Sequence, residues 1–389
     1  MSSPIKFLDK KQKEIEKFTQ SLIQVKSVNG NETPVAELIK EKLNDYGIKS
    51  KLIGKNSKRK NLVAKIKGVS GNKALMFNGH TDVVPAGDIK KWKYPPFSGK
   101  ILGGKIFGRG ARDMKGGVAA LTYSAIALVE SSSELNGKIT LVFNSDEESG
   151  NHSGIREVLD SGITADACLV GEPMKDKKIK IGYRGIYRFR IVTRGQTSHT
   201  GHVGDKGVNA ITKMAKILLA LEKSKPRYLK NKLLPPPAIN AGTVIRGGIA
   251  INIVPDECEA LVDCRLSLGQ SKKSIKEDIS DVLRNLKKKD PEISYGINKL
   301  AYVPPFITDK KEQIAKISVK NARKILGNRS GFTVSGAVSD GNLLSARGIP
   351  VVSFGADGEN THSENEFAYT KSLTNAAKIY SLTAQDFLK

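Results

Sequence analysis

Residues 138–150 read KITLVFNSDEESG. Positions 138–143 form a short apolar run, the length of a strand buried on both faces rather than of a helix. The run ends in Asp146, Glu147 and Glu148, three adjacent acids. On the N-terminal side, 116–129 is the most apolar stretch of the chain, and 115–130 predicts a buried helix. Further upstream, 51–53, 61–66 and 74–77 predict strands. Ile15, Phe18 and Leu22, then Val35, Leu38, Ile39 and Leu43, recur every three or four positions, as on helices. Asn29, Gly30 and Asn31 break that pattern and Pro34 can restart it. On the C-terminal side, 154–159 predicts a helix and 167–170 another short buried strand. Strands alternating with helices predict an open sheet covered on both faces.

The texture changes near residue 178. IKIGYRGIYRFRIVTRG, residues 179–195, alternates apolar and polar positions as a half-exposed antiparallel strand does. A helix is expected at about 206–223, strands at 241–246 and 257–266, a helix at about 271–288 and a strand at 293–303. From Val303, Pro304 and Pro305 onward the pattern returns to helices and buried strands, notably 350–354. The expected fold class is α/β. A larger domain with a central mixed sheet flanked by helices, residues 1–182 and 303–389, is interrupted by a smaller α+β domain at 183–302. The smaller domain is expected to hold a four-stranded antiparallel sheet and two helices.

Composition sets limits on function. In 389 residues, 39% are hydrophobic and 26% charged, which is ordinary for globular domains and excludes a collagen-like or fully disordered chain. Lys and Arg total 64 against 39 Asp and Glu, a formal charge of +25. Such an excess raises a nucleic-acid-binding reading. The basic residues are scattered, however, with short runs at 55–60 and 287–289 and no interleaved aromatics, so no nucleic-acid partner is expected. Cys168, Cys258 and Cys264 form neither a disulfide framework nor a cysteine zinc motif, and a reducing cytoplasm fits them best. No stretch has the apolar length of a membrane span, and the N-terminus MSSPIKFLDKKQKEIEKF lacks the apolar stretch of a signal peptide, so no membrane association is expected.

The candidate chemistry lies where buried strands end, the place where ligands gather in open α/β sheets. FNGHTDVVPAGD at 77–88 puts His80 and Asp82 just past a strand, two residues apart and on the same side of an extended segment. By itself this reads equally as a polar turn. GRGARDMKGGVAA at 108–120 sets Asp113 before an apolar helix, where it could bridge two cations or cap the helix. In the acid trio, three neighbouring carboxylates are unfavourable without a cation or proton among them. Adjacent glutamates can also divide the roles of ligand and base. Glu172 in CLVGEPM and His362 in GADGENTHSENEF again follow apolar strands. Two histidines with three carboxylates suit zinc, with cobalt or manganese as substitutes.

Taken in order, GHTDVVPAGD, GRGARDMKGG, SDEESG, GEP, TSHTG, NIVPDECEALVDCR and THSENE resemble the two-metal aminoacylase and deacylase family of the succinyl-diaminopimelate desuccinylase and acetylornithine deacetylase type. The resemblance runs from about Ser21 to the C-terminal helix. It implies that His80, Asp113 and Glu172 hold one divalent ion and that Asp113, Glu148 and His362 hold the other. It also implies that Asp82 orients His80, that Glu147 is the general base, and that the Asp113–Met114 peptide is cis. His199 of the smaller domain would help hold the developing oxyanion, reaching the partner subunit's site in a homodimer. Arg184, Asn252 and Arg265 would contact substrate. Domain closure is expected to assemble the site.

The implied activity is hydrolysis of the amide bond of an N-acyl amino acid. The alternative is a dipeptidase or carboxypeptidase of the same family, and the remote alternative is a non-catalytic nucleic-acid-binding protein. The chain departs from the family pattern in two places. His202, Val203, Gly204 and Asp205 stand where many members have a proline, and Val338 stands where the desuccinylases carry a hydroxyl residue. His152 matches no ligand position and is expected on the surface.

Overall fold

The computed structural model describes residues 3–201 and 207–389, so the departure at 202–205 lies outside the described residues. The chain divides into two compact units. The first comprises Met1–Gly182, Ile307–Val334 and Ser339–Lys389; the second comprises Tyr183–Phe306 and Ser335–Val338. The second unit thus runs a few residues past the expected return at 303, and a short segment rejoins it at 335–338.

In chain order the strands are β1 (Ser50–Ile53), β2 (Asn61–Lys67), β3 (Ser70–His80), β4 (Lys100–Leu102), β5 (Lys105–Phe107), β6 (Asn136–Asn144), β7 (Ala167–Val170), β8 (Ile179–Tyr183), β9 (Gly185–Arg194), β10 (Ala238–Gly247), β11 (Glu257–Leu266), β12 (Ser294–Val303), β13 (Phe306–Ile307), β14 (Phe332–Ser335), β15 (Val351–Ser353), β16 (Gly358–Glu359) and β17 (Phe367–Tyr369). A nine-stranded mixed sheet runs β1-β2-β6-β3-β7-β15-β8-β13, with β14 also paired to β8. Its centre is parallel: β3 pairs with β6 and with β7, and β15 pairs with β7. Parallel strands finish at the same edge of a sheet, so the segments that follow β3, β6, β7 and β15 emerge together.

The central strands are hydrophobic on both faces because helices cover both. Leu75, Phe77, Ile139, Leu141 and Phe143 are fully buried in one core with the helix Gly116–Glu130 and the C-terminal helix Thr370–Phe387. Gly116–Glu130 is apolar around nearly its whole circumference, which is why it sits inside rather than on the surface. Two features escaped the sequence reading. One is the short N-terminal helix Pro4–Lys10. The other is a small sheet, β16-β17-β5-β4, built from strands of two or three residues.

The second unit is the expected α+β element. Its antiparallel sheet runs β10-β11-β9-β12, with Tyr187, Phe189, Ile191, Val262 and Cys264 packed against the helices Ala210–Lys223 and Lys272–Lys289. The first of these helices begins at Ala210, after an Asn209 cap whose side chain accepts from Ile211 and Thr212 N–H groups.

One expectation is corrected. His152 is fully buried, not on the surface. The loop after β6 folds back on itself: Asp146 and His152 both take left-handed φ values, +65° and +52°, and the His152 N–H donates to the Asp146 carbonyl at 2.9 Å. The imidazole Nδ1 then meets Asp340 Oδ1 at 2.9 Å, while Asn144 Nδ2 donates to Asp340 Oδ2 at 2.7 Å. Asn78 on β3 donates in turn to Asn144 at 2.7 Å. This chain of buried polar groups ties β3, the β6 loop and the helix Asp340–Ala346 together. Removing one member strands its partner without water. His152→Ala is therefore expected to lower unfolding free energy by about 2–3 kcal/mol, read from denaturant midpoints; a loss below about 0.5 kcal/mol would show that the network does not hold the loop.

Candidate metal centre and active site

The parallel strand ends deliver the candidate ligands. His80 is the last residue of β3, Glu147 and Glu148 follow β6, and Glu172 follows β7. Asp113 comes from the turn before the helix Gly116–Glu130, and the Asp113–Met114 peptide is cis. His362, with φ +62°, comes from the turn between β16 and β17. Asp113 lies between two imidazoles, with Oδ1 3.2 Å from His80 Nε2 and Oδ2 3.4 Å from His362 Nε2. His362 Nε2 also lies 3.0 Å from Glu148 Oε1. Ligand atoms of His80, Asp113 and Glu148 all fall within 4.8 Å of one another.

Electrostatics set this cluster apart from ordinary ion pairs. Burial alone would push Asp113 up, but hydrogen bonds from His362 and His80 outweigh it and hold the carboxyl well below the usual range. The same contacts act on the imidazoles. His80 is buried, which lowers its pKa, yet Asp113 and the charges of Glu147, Asp82 and Glu148 raise it well above its ordinary value. His362 is raised to about 10, chiefly by Asp113 and Glu148. The glutamates move upward: burial raises Glu147 and Glu148, and burial together with Asp113 pushes Glu172 up to about 8. An excess of buried carboxylates around two imidazoles calls for added positive charge. The donor set of two imidazoles and hard carboxylate oxygens, with one carboxylate offering an oxygen to each side, fits a pair of divalent ions.

Supporting groups fix this geometry, and several were not anticipated. Asp82 meets His80 chiefly through its main chain. His80 Nδ1 is 2.9 Å from the Asp82 main-chain carbonyl, and the carboxylate is farther, at 3.6 Å. That carboxylate instead accepts from the N–H groups of Glu147 at 3.1 Å and Glu148 at 2.9 Å. Asp146, read as part of an acid trio, turns away from its two neighbours. It pairs with Arg59 at 2.5 Å and accepts from Ser149, Ser153 and Asn29. These bonds override the effect of burial and bring its pKa down to about 2.

Glu366 was missed. It is fully buried and accepts from the Gly110, Arg112 and Asp113 N–H groups at 3.0–3.1 Å and from Arg109 at 2.6 Å. It therefore holds the turn that presents Asp113. Its signal was present in THSENEF, where a second acid is followed by an apolar pair. Lys180 was also missed; burial lowers its pKa, against the opposing pull of the Glu172 and Asp113 charges.

The remaining candidates belong to the second unit. Within it, Arg184 donates to the carbonyls of Pro236 at 2.6 Å and Arg265 at 3.2 Å, and Arg265 Nε binds Asp263 at 2.9 Å. His199 is exposed and pairs with Ile253 as an isolated bridge, beside Asn252, whose carbonyl accepts from Thr200. His199 Nδ1 accepts from the Gly201 N–H at 3.0 Å, which leaves Nε2 to carry the ring proton of a neutral imidazole. Val338 is half-buried.

Comparison with known proteins places this geometry. Residues 76–386 match peptidase family M20/M25/M40. The chain is 31% identical over 326 residues to a succinyl-diaminopimelate desuccinylase from Wigglesworthia glossinidia brevipalpis, covering 81% of this chain and 84% of that one. Among solved structures, it resembles an M20 family metallo-carboxypeptidase, Sso-CP2, from Sulfolobus solfataricus, with TM-score 0.83, 21% identity and coverage of 96% and 99%. It also resembles the Bacillus subtilis YXEP protein, a dinuclear metal binding peptidase, with TM-score 0.75, 18% identity and coverage of 97% and 98%. The match of the family across most of the chain, together with the relative's identity over four fifths of it, establishes that this protein belongs to peptidase family M20/M25/M40 and is a hydrolase of amide bonds.

Proposed function

We propose that this enzyme cleaves the amide bond of an N-acyl amino acid, with a succinylated or acetylated amino acid of biosynthesis as the first substrate class. What supports the reaction class is the Asp113 carboxylate shared between His80 and His362, with Glu147 within the field of His80 and Glu172. What supports the substrate class is the desuccinylase relative. The second reading is a dipeptidase or carboxypeptidase, which the peptidase folds among the structural neighbours keep in play.

His80, Asp113 and Glu172 would hold one divalent ion, and Asp113, Glu148 and His362 the other, with zinc as the first choice and cobalt or manganese as substitutes. Such a pair supplies Lewis-acid polarisation of the amide carbonyl and acidifies water toward neutral pH. The chain's own residues do the rest. Glu147 takes the proton of the attacking water at its carboxylate as the new C–O bond forms. It then gives that proton to the amine nitrogen as the C–N bond breaks, releasing a carboxylate and an amino acid. Asp82 keeps Glu147 and Glu148 in register through their N–H groups. In the second unit, His199 is the proposed oxyanion donor and Arg184, Asn252 and Arg265 the proposed substrate contacts. Either guanidinium offers the planar fork that grips a substrate carboxylate.

Two finer points belong to the same proposal. A homodimer is supported by exposed apolar side chains around β10, an edge strand: Ile245, Ile249 and Ile251 are 53%, 88% and 100% exposed. A cytoplasmic location is supported by three buried, free cysteines. Among the described residues no helix is long and apolar enough to cross a membrane.

The test is metal analysis joined to a substrate panel. Glu147→Ala should keep both ions yet lose about 10²- to 10⁴-fold in turnover, whereas Glu148→Ala and His362→Ala should lose metal as well. Near-normal turnover in Glu147→Ala would remove it as the base. Hydrolysis of dipeptides, with N-succinyl and N-acetyl amino acids left intact, would decide for the second reading. A pH-linked measurement is independent of activity. With pKa values of about 10 and about 8, His362 and Glu172 carry protons at pH 7 in the metal-free protein. Adding a divalent ion must expel them, so an unbuffered metal titration should acidify the solution; a titration that binds metal with no proton release would contradict the ligand set.

A further inference from the structure

The face of the main sheet away from the ligand-bearing strand ends carries a second concave site. A cavity of about 300 Å³ is lined by Lys51 and Ile53 on β1, Lys65 on β2, Lys138 and Thr140 on β6, and the turn at 161–164. The register explains the grouping. Lys51 pairs with Val63, Lys65 with Thr140, and Lys67 with Lys138. Side chains alternate along a strand, so Lys51, Lys65, Lys138 and Thr140 share one face. Adjacent strands lie about 4.8 Å apart, which packs three ammonium-bearing stems across three neighbouring strands.

Like charges on adjacent strands repel. Here nothing offsets them: among the described residues, none of the three lysines is ion-paired, and no carboxylate lines the cavity. Lysine is a point charge that meets a tetrahedral oxyanion from any direction, whereas carboxylates are better gripped by the planar fork of arginine, and no arginine lines this cavity. The volume sits at the lower end of the roughly 300–1,000 Å³ of small-molecule sites, too small for a polymer groove. Lys138 lies near the start of β6, and Glu147 and Glu148 follow its end. At about 3.3 Å per residue the two places are on the order of 20 Å apart.

We propose that this cavity is a binding site for a phosphoryl-bearing small molecule, separate from the hydrolytic centre. It does not depend on the substrate reading above. The rival explanation is that Lys51, on the edge strand β1, and its neighbours only discourage strand pairing between copies. That explanation predicts no ligand.

Calorimetric titration of the full chain with inorganic phosphate and with a sugar bisphosphate, at physiological salt, separates the two. The proposal expects saturable binding, tighter for the bisphosphate, that weakens at least about tenfold in K51Q/K65Q/K138Q. The control K287Q/K288Q/K289Q removes the same charge from a helix of the second unit and should bind as the parent does. Should the triple variant fail to fold, K65Q alone should weaken binding about threefold. Absence of saturable binding, an equal loss in the control, or no loss in the cavity variants overturns the proposal. Turnover of N-acyl substrates plays no part in this readout, so failure here leaves the hydrolase reading untouched, and the reverse holds as well.

Discussion

The Asp113 carboxylate, set between the imidazoles of His80 and His362, is the contact on which the site depends. Each oxygen faces a different histidine, and Glu148 approaches one of them at 3.0 Å. Around this pair burial, with the neighbouring carboxylates adding to it, holds the protons of Glu147, Glu148 and Glu172 more tightly than water would. Such a cluster is completed by protons or by cations, and its imidazole and carboxylate donors suit divalent ions. Charge and donor type together make the site a candidate metal centre.

The fold serves that contact in two ways. Parallel pairing of β3, β6, β7 and β15 brings their C-terminal ends to one edge, so residues far apart in the chain arrive together without long loops. Buried acceptors then fix the loops that the strands do not. Glu366 gathers the N–H groups around Asp113, Asp82 gathers those of Glu147 and Glu148, and the His152–Asp340–Asn144 chain anchors the far end of the same loop. Each acceptor is a charged or polar side chain removed from water, costly unless every bond is made. Together they offer the candidate ligands a stiff frame.

Much of this was legible in the sequence. Apolar runs ending in His80, Glu148 or Glu172 could be read as buried strands with polar ends, because length and hydrophobicity suffice for that. The change to alternating residues after 178 exposed the second unit for a similar reason. The supporting layer was not legible. Asp146 looked like a third member of the acid cluster, and only a left-handed backbone at that residue turns it toward Arg59. His152 looked like a surface residue because its partner, Asp340, is 188 positions away. For Glu366 the sequence showed only an acid ahead of an apolar pair; its role lies in bonds from the backbone N–H groups of Gly110, Arg112 and Asp113, more than 250 positions away. The small β16-β17-β5-β4 sheet has strands too short for any periodicity to register.

Two ions sharing the Asp113 carboxylate would complete this site. Anomalous diffraction from crystals grown with zinc, measured on both sides of its absorption edge, tests it most directly. Two peaks are expected, one on the His80 side of Asp113 and one on the His362 side, with Glu172 and Glu148 as their respective further ligands. A single peak, or peaks that leave Asp113 uncoordinated, would contradict it.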